Sequence, residues 1–380
     1  MVSPLSILLT QVLPFWAERA FDPQHGGYFT ELTPEGHPVA EESRLCLVQT
    51  RMLYTFSHAY CLSSESWAFT AAERALDFMT RRLRRPDGAF AAMASLGEGT
   101  SQADLVDFYD QAFVLFSLAW WYRASHDPAA LRMAHAAMAA LDLNLKDPVY
   151  GGWQEANIEQ APRRQNPHMH LLEAMLAWYE VTEDEAWIVP VREILSLFRE
   201  RFFDAPTGTL REFLGPDLSP VPDQAGQIRE PGHHFEWVWL LYHYRRLINE
   251  EDVTGMAERL YETARRHGVD REGLVVEAID PHGATLESGR LLWPQTEAVK
   301  AAIARTEFLN ADPAEADAFL VAMMRTHFPS SGPLWINHVS SQGEPLSRNV
   351  PTRLLYHLTL CVAEYARLRG AIMPNVFTAH

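Results

Sequence analysis

Residues 147–179 read DPVYGGWQEANIEQAPRRQNPHMHLLEAMLAWY. A Gly-punctuated hairpin, DPVYGGWQEA (147–156), is followed by a proline and an apolar helix whose first turn is polar. Glycine accepts the backbone angles of a tight turn. Proline suits a helix start because its missing N–H has no partner there anyway. Working outward, similar hairpins recur at 22–32 (DPQHGGYFTEL), 86–93 (PDGAFAAM), 204–214 (DAPTGTLREFL), 270–278 (DREGLVVEA) and 331–339 (SGPLWINHV). Their period is about 60 residues, longer than that of common solenoid repeats.

Helical spacing between the hairpins predicts twelve helices, at 3–20, 43–61, 65–84, 105–125, 128–143, 167–182, 185–203, 231–249, 254–268, 294–309, 313–328 and 351–369. Short links such as Ser63-Ser64, His126-Asp127 and Glu183-Asp184 imply antiparallel neighbours. Even-numbered helices are apolar almost all round, as in an inner ring, and odd ones carry a charged face. Six helical pairs can close into a ring, so one all-α domain is expected over residues 1–380. Six loops and six helix starts converge at one end of such a ring, and chemistry is sought there.

The formal charge of −17 disfavours nucleic acid and gives no support for an anionic membrane surface. Cys46, Cys61 and Cys361 lie in apolar helical stretches outside any CxxC, which suggests free thiols and a cytoplasmic protein. The first residues lack the basic segment and cleavage site of a signal peptide, and no apolar run is long enough to span a bilayer.

The inner helix starts hold the polar residues. Asn166 precedes Pro167 and suits an N-cap, and His168 reads as a solvent-facing rim residue. His170, four residues after Asn166, shares its side and would be costly to bury unpaired. In PGHHFEWVWLL (231–241), His233 and Glu236 share a face; the bland alternative is a capping box. His357 lies in PTRLLYHLTLCVAEY (351–365), where a lone histidine is usually a satisfied core residue. Arg51, with Arg44 on the same face, needs a carboxylate or a polar cavity. Tyr109 and Asp110 open the fourth helix, Trp293, Gln295 and Glu297 the tenth, and Trp335 is placed to cover the pocket. Aromatic faces with Arg, Asn, Glu and His form a mixture suited to a sugar.

The segments RLCLVQTRMLYTF, DFYDQAFVLFSLAW, NPHMHLLEAMLAWYE, PGHHFEWVWLL, LWPQTEAVKA and RLLYHL, which run from Arg44 to His357, resemble the N-acylglucosamine 2-epimerase superfamily. It includes N-acylglucosamine, cellobiose and mannose 2-epimerases and aldose–ketose isomerases acting on mannose. The resemblance implies an (α/α)6 barrel with short hairpins in the inter-repeat loops and a metal-free mechanism without cofactor. By position, it makes His233 and His357 the general acid/base pair and His170 a third histidine aiding ring opening. It gives Arg51 the carbonyl and enediol oxygens, and Glu236 the orientation of His233. Tyr109, Asn166, Trp293 and Trp335 would line the sugar site, with Asp110 structural.

Removing the C2 proton of an open-chain aldose needs a base that is neutral near pH 7, which suits histidine. The helix dipole at the start of the eighth helix is expected to keep His233 neutral. The wording VQTR, PHMH, PGHHFEW and WPQTEA is most similar to the mannose isomerase branch. That implies D-mannose to D-fructose isomerisation, with lyxose to xylulose as a second reaction and 2-epimerisation as the alternative. No Walker-type phosphate loop is present, so no nucleotide is expected. The expected partner is a monosaccharide, and the chain is expected to be a monomer or homodimer.

Three other readings compete. A glycoside hydrolase would use Asp110 and Glu236 as facing carboxylates, leaving three histidines without a task. A metal-dependent isomerase would recruit His168, His170 and His233. A plain helical scaffold would have interchangeable repeats, whereas each inner helix here begins differently.

Overall fold

The computed structural model describes residues 3–97, 105–158, 162–329 and 332–370. Among these, twelve helices fall in two layers. The inner layer is α2 (Cys46–Ser63), α4 (Phe108–Ser125), α6 (Asn166–Thr182), α8 (Pro231–Leu247), α10 (Leu292–Leu309) and α12 (352–368). The outer layer is α1 (4–19), α3 (66–83), α5 (Pro128–Leu145), α7 (185–202), α9 (Thr254–His267) and α11 (Ala314–His327). Successive inner helices pack side by side, and α12 packs on both α2 and α1, so the (α/α)6 ring closes.

Four of the short inner-to-outer turns share one device. Ser64, His126, Glu183 and Asn310 each end an inner helix with a left-handed backbone, φ between 54° and 58°. A single left-handed residue ends a helix and reverses the chain.

The hairpins at the other end are held by two repeated contacts. Their leading aspartates receive buried arginines: Arg44 on Asp22 at 2.6 Å, Arg163 on Asp147 at 2.8 Å and Arg290 on Asp270 at 2.6 Å. This accounts for Arg44, which pairs within its hairpin and does not share the surroundings of Arg51. A side chain from the next inner helix then accepts a hairpin N–H: Gln49 from Tyr28, Gln111 from Phe90, His168 from Trp153, His234 from Leu210 and Gln295 from Val275.

The sixth segment departs from its expected form. Ser331 lies outside the described residues, and 332–337 contains no strand. His338–Val339 pairs instead with Arg290–Leu291 of the preceding repeat. Short antiparallel contacts of this kind stitch every repeat to the next. They run from Ser43–Leu45 with Met93–Ser95 round to Val350–Pro351 with Glu31–Leu32. This β-crown fixes the six inner helix starts around one opening.

Candidate active site

A cavity of about 370 Å³ opens within the crown. Arg51, Tyr109, Asn166, His170, His233, Glu236, Trp293 and His357 all line it, so eight of the nine sequence-predicted site residues converge. Trp335 is the exception. It is buried against α1, stacked on Trp16 with ring centroids 4.8 Å apart, and does not line the cavity. The last hairpin packs back on the outer ring and so does not carry this ring over the opening.

Each histidine of the pocket is held by a carboxylate. His357 Nδ1 meets Glu297 Oε1 at 2.8 Å, and Glu297 Oε2 pairs with the wholly buried Lys300 at 2.6 Å. Burial dominates at His357 and lowers its pKa to about 3, against the opposing pull of Glu297. The ring is therefore neutral. With Nδ1–H donated to Glu297, its Nε2 lone pair remains for the cavity. His170 Nδ1 bonds Glu173 at 3.0 Å, and Glu173 also accepts from the Tyr356 hydroxyl. Burial lowers His170 to about 4.

His233 behaves oppositely. Burial again opposes its charge, but Glu212, Glu230 and Glu236 outweigh burial and raise its pKa to about 10. Its Nδ1 lies 2.8 Å from Glu212 Oε2 and 3.4 Å from Glu230. The expectation of a neutral His233 is overturned because nearby full charges exceed the partial charge of a helix terminus. Glu212 is buried, yet His233 and a hydrogen bond from Gln165 hold it below the usual carboxylate range.

Glu236 does not hold His233 in orientation; Glu212 does. Glu236 Oε1 lies 4.0 Å from His170 Nε2 and has no hydrogen-bond partner among the described residues. Burial and the nearby Glu297 raise its pKa well above that of an ordinary carboxylate. The bland readings of two other residues also fail. Asn166 does not cap α6, and its buried Oδ1 is unpartnered among the described residues. His168 is not at a solvent rim. It is fully buried, with Nδ1 on the Arg164 carbonyl and Nε2 accepting from Trp153 N–H.

Arg51 faces the histidines. Its Nη2 donates to Tyr109 Oη at 2.9 Å and its Nη1 to the Arg353 carbonyl at 3.3 Å. Its guanidinium lies 4.3 Å from the Phe113 ring and 4.9 Å from Tyr356. No carboxylate pairs with it among the described residues, so its charge is available to a ligand. Trp293 sits between His233 and His357, with ring centroids 4.8 Å and 5.8 Å away.

Asp110 does not line the cavity, so the Asp110–Glu236 pair expected of a hydrolase is not assembled. With both His168 nitrogens on backbone, the His168–His170–His233 metal set is not assembled either. Glu212, Glu230 and His233 have the donors and spacing of a cation site, as do Glu236, Glu297 and His357. In both groups the histidine Nδ1 already engages a carboxylate, and Lys300 supplies the positive charge beside Glu297.

Sequence reasoning missed Glu212, Glu230, Lys300, Arg164 and Arg353. Glu212 sits inside a quoted hairpin, where a polar residue reads as solvent-facing. Glu297–Lys300 had a signal: opposite charges three apart on an otherwise apolar inner helix.

A ring of helices with paired histidines, an unpaired arginine and an aromatic platform at one end defines a carbohydrate-converting (α/α)6 barrel. Comparisons with known proteins agree. The family model for N-acylglucosamine 2-epimerase (GlcNAc 2-epimerase) matches residues 27–361. A mannose-6-phosphate isomerase of Rhizobium meliloti (strain 1021) is 32% identical over 93% of this chain and 93% of its own. A D-mannose isomerase of Thermobifida fusca is 27% identical over 76% and 74%. The solved cellobiose 2-epimerase of Bacillus thermoamylovorans B4167 has the same fold, with a TM-score of 0.85, 22% identity and coverage of 95% and 97%. The chain belongs to the N-acylglucosamine 2-epimerase family and is a carbohydrate isomerase or epimerase. Among the described residues, no helix is long and apolar enough to cross a membrane.

Proposed function

We propose that the enzyme interconverts an aldose and a ketose, D-mannose and D-fructose, with lyxose and xylulose as a second pair. The observation that carries this reading is the unequal anchoring of two histidines on one cavity: His233 Nδ1 lies between Glu212 and Glu230, which raise its pKa to about 10, whereas His357 Nδ1 meets a Glu297 already paired with Lys300, and burial lowers its pKa to about 3. His357 Nε2 takes the proton from C2 of the open-chain aldose. The electron pair moves into a C1–C2 double bond, and the carbonyl oxygen gains charge. The His233 imidazolium donates a hydrogen bond and then a proton to that oxygen, while Arg51 stabilises the enediolate. His357 returns its proton to C1, and the C2 hydroxyl proton goes back to His233, leaving a ketose and the starting enzyme. His170, neutral and 4.0 Å from Glu236, whose burial favours its protonated form, is placed to pass a proton during ring opening.

Epimerisation is the second reading, because the two histidines flank one Trp293 platform. It requires His233 to give its proton to C2 from the opposite face. A histidine held at about pKa 10 is better matched to oxygen than to carbon, which favours the isomerase. Incubating the protein with mannose in deuterated water and following products by NMR tests this. Fructose carrying deuterium at C1 is expected. Glucose carrying deuterium at C2 would replace this reading with the epimerase.

A further inference from the structure

We infer that the mouth of the cavity holds a binding site for a phosphate monoester on the substrate's terminal carbon, formed by Arg353 and Arg164. This deepens the isomerase reading and rests on it for the identity of the sugar.

Three guanidiniums line the cavity: Arg51, Arg164 and Arg353. Arg51 lies among the aromatic rings, over Phe113 and Tyr356. The other two have no part in proton transfer. Arg353 is solvent-accessible at the mouth, and its side chain makes no hydrogen bond or ion pair among the described residues. Arg164 is half-buried. Glu155 engages its Nε at 2.7 Å, and its Nη atoms make no hydrogen bond among the described residues. Arg51 ties them to one wall: it donates to Tyr109 Oη and to the Arg353 carbonyl, and Tyr109, Arg164 and Arg353 line the same cavity. Desolvation by the wall behind Arg353, and then repulsion from Arg51, push its own pKa down.

The balance of charge on the cavity wall points the same way. Of its carboxylates, Glu212 bonds His233, burial raises Glu236 and also Glu230, the latter to about 7, and none of the three is ion-paired with a guanidinium among the described residues. Arg164 is paired with Glu155, and a neutral hexose leaves Arg353 without an ion-pair partner among the described residues, although the whole chain carries −17. A phosphate supplies three acceptor oxygens, which planar guanidinium forks recognise well.

The test compares initial rates on D-mannose, D-mannose 6-phosphate and D-mannuronate for the wild type, Arg353→Met and Arg353→Lys. Calorimetric titration of the same proteins with inorganic phosphate at matched ionic strength runs alongside. Arg353 is at the surface, so both variants are expected to fold. The wild type should show kcat/KM about tenfold or more higher on the 6-phosphate than on mannose. Arg353→Met should cut that ratio roughly tenfold, as expected for one lost charge-assisted hydrogen bond, and Arg353→Lys should retain part of it. A wild-type ratio near one, a ratio unmoved by Arg353→Met, or a preference for mannuronate overturns the phosphate site. If no sugar is turned over, the isomerase reading falls, and the phosphate titration decides this site alone. Binding weakened by Arg353→Met supports it, and absence of binding overturns it.

Discussion

His233 and His234 are neighbours in the chain and opposites in the fold. His233 faces the cavity, where Glu212 and its neighbours hold a proton on it up to about pH 10. His234 turns to the hairpin, donating from Nδ1 to the Glu230 carbonyl at 2.8 Å and accepting from Leu210 N–H at 3.1 Å. Burial keeps it neutral, with a pKa of about 4. On α6 the same division separates His170 from His168. The hairpin-facing position is a clamp, and three other repeats fill it with glutamine. The cavity-facing position differs from repeat to repeat. What a histidine does here is decided by whether its partner is a carboxylate or a peptide group.

The largest break in this comparison comes at His357. His357→Asn should lower kcat/KM by about 10²–10⁴-fold, the usual worth of a general base. Steady-state rates on mannose check this. Glu212→Gln should cost less, about 10–100-fold, the usual toll of losing a carboxylate that orients a histidine, and should leave a second mark. The wild type needs His233 protonated, so its activity should fall as pH rises through about 10. In Glu212→Gln that alkaline limb should move down toward the ordinary histidine range, which a pH profile of kcat/KM reveals.

The same pair links stability to pH. The folded pKa of His233 is raised, so its contribution is fully present below 6.5 and lost as pH rises through about 10. Urea unfolding of the wild type at the two ends of that window should show the loss, and Glu212→Gln should show much less of it.

On the clamp side, His234→Ala should lower unfolding free energy by about 1–3 kcal/mol, because the buried Leu210 N–H loses its acceptor. Its kcat should stay within about threefold of the wild type, unlike any cavity-facing histidine. The smallest effect is expected at Trp335. Trp335→Leu removes the stack on Trp16, worth about 1 kcal/mol, and should leave kcat/KM within about twofold. A large drop in kcat/KM would restore this ring to the sugar site.

Much of the ring was legible because its signals are local. Glycine turns, proline starts and apolar periodicity recur in each repeat, and the predicted helices lie within a few residues of those found. The cavity residues on inner helix starts were legible for the same reason, since their position in the repeat fixes where they point. What escaped depends on contacts between residues far apart in the chain. Glu212 reaches His233 from a hairpin in the same repeat, while Glu297 reaches His357 across a helix boundary. Helix polarity predicted a neutral His233, and only the three surrounding carboxylates reverse it. Trp335 was misplaced because the sixth segment pairs with the fifth repeat and does not close on itself.

In the resting cavity His233 is expected to be charged and His357 neutral. Nitrogen NMR of ¹⁵N-histidine-labelled protein, with His233→Asn and His357→Asn used for assignment, reads this directly. A His233 ring protonated on both nitrogens is expected from about pH 5 to about pH 9, with a neutral His357 protonated on Nδ1 alone across the same range. A His233 that titrates near 6.5, or a His357 that carries two protons at neutral pH, would contradict it.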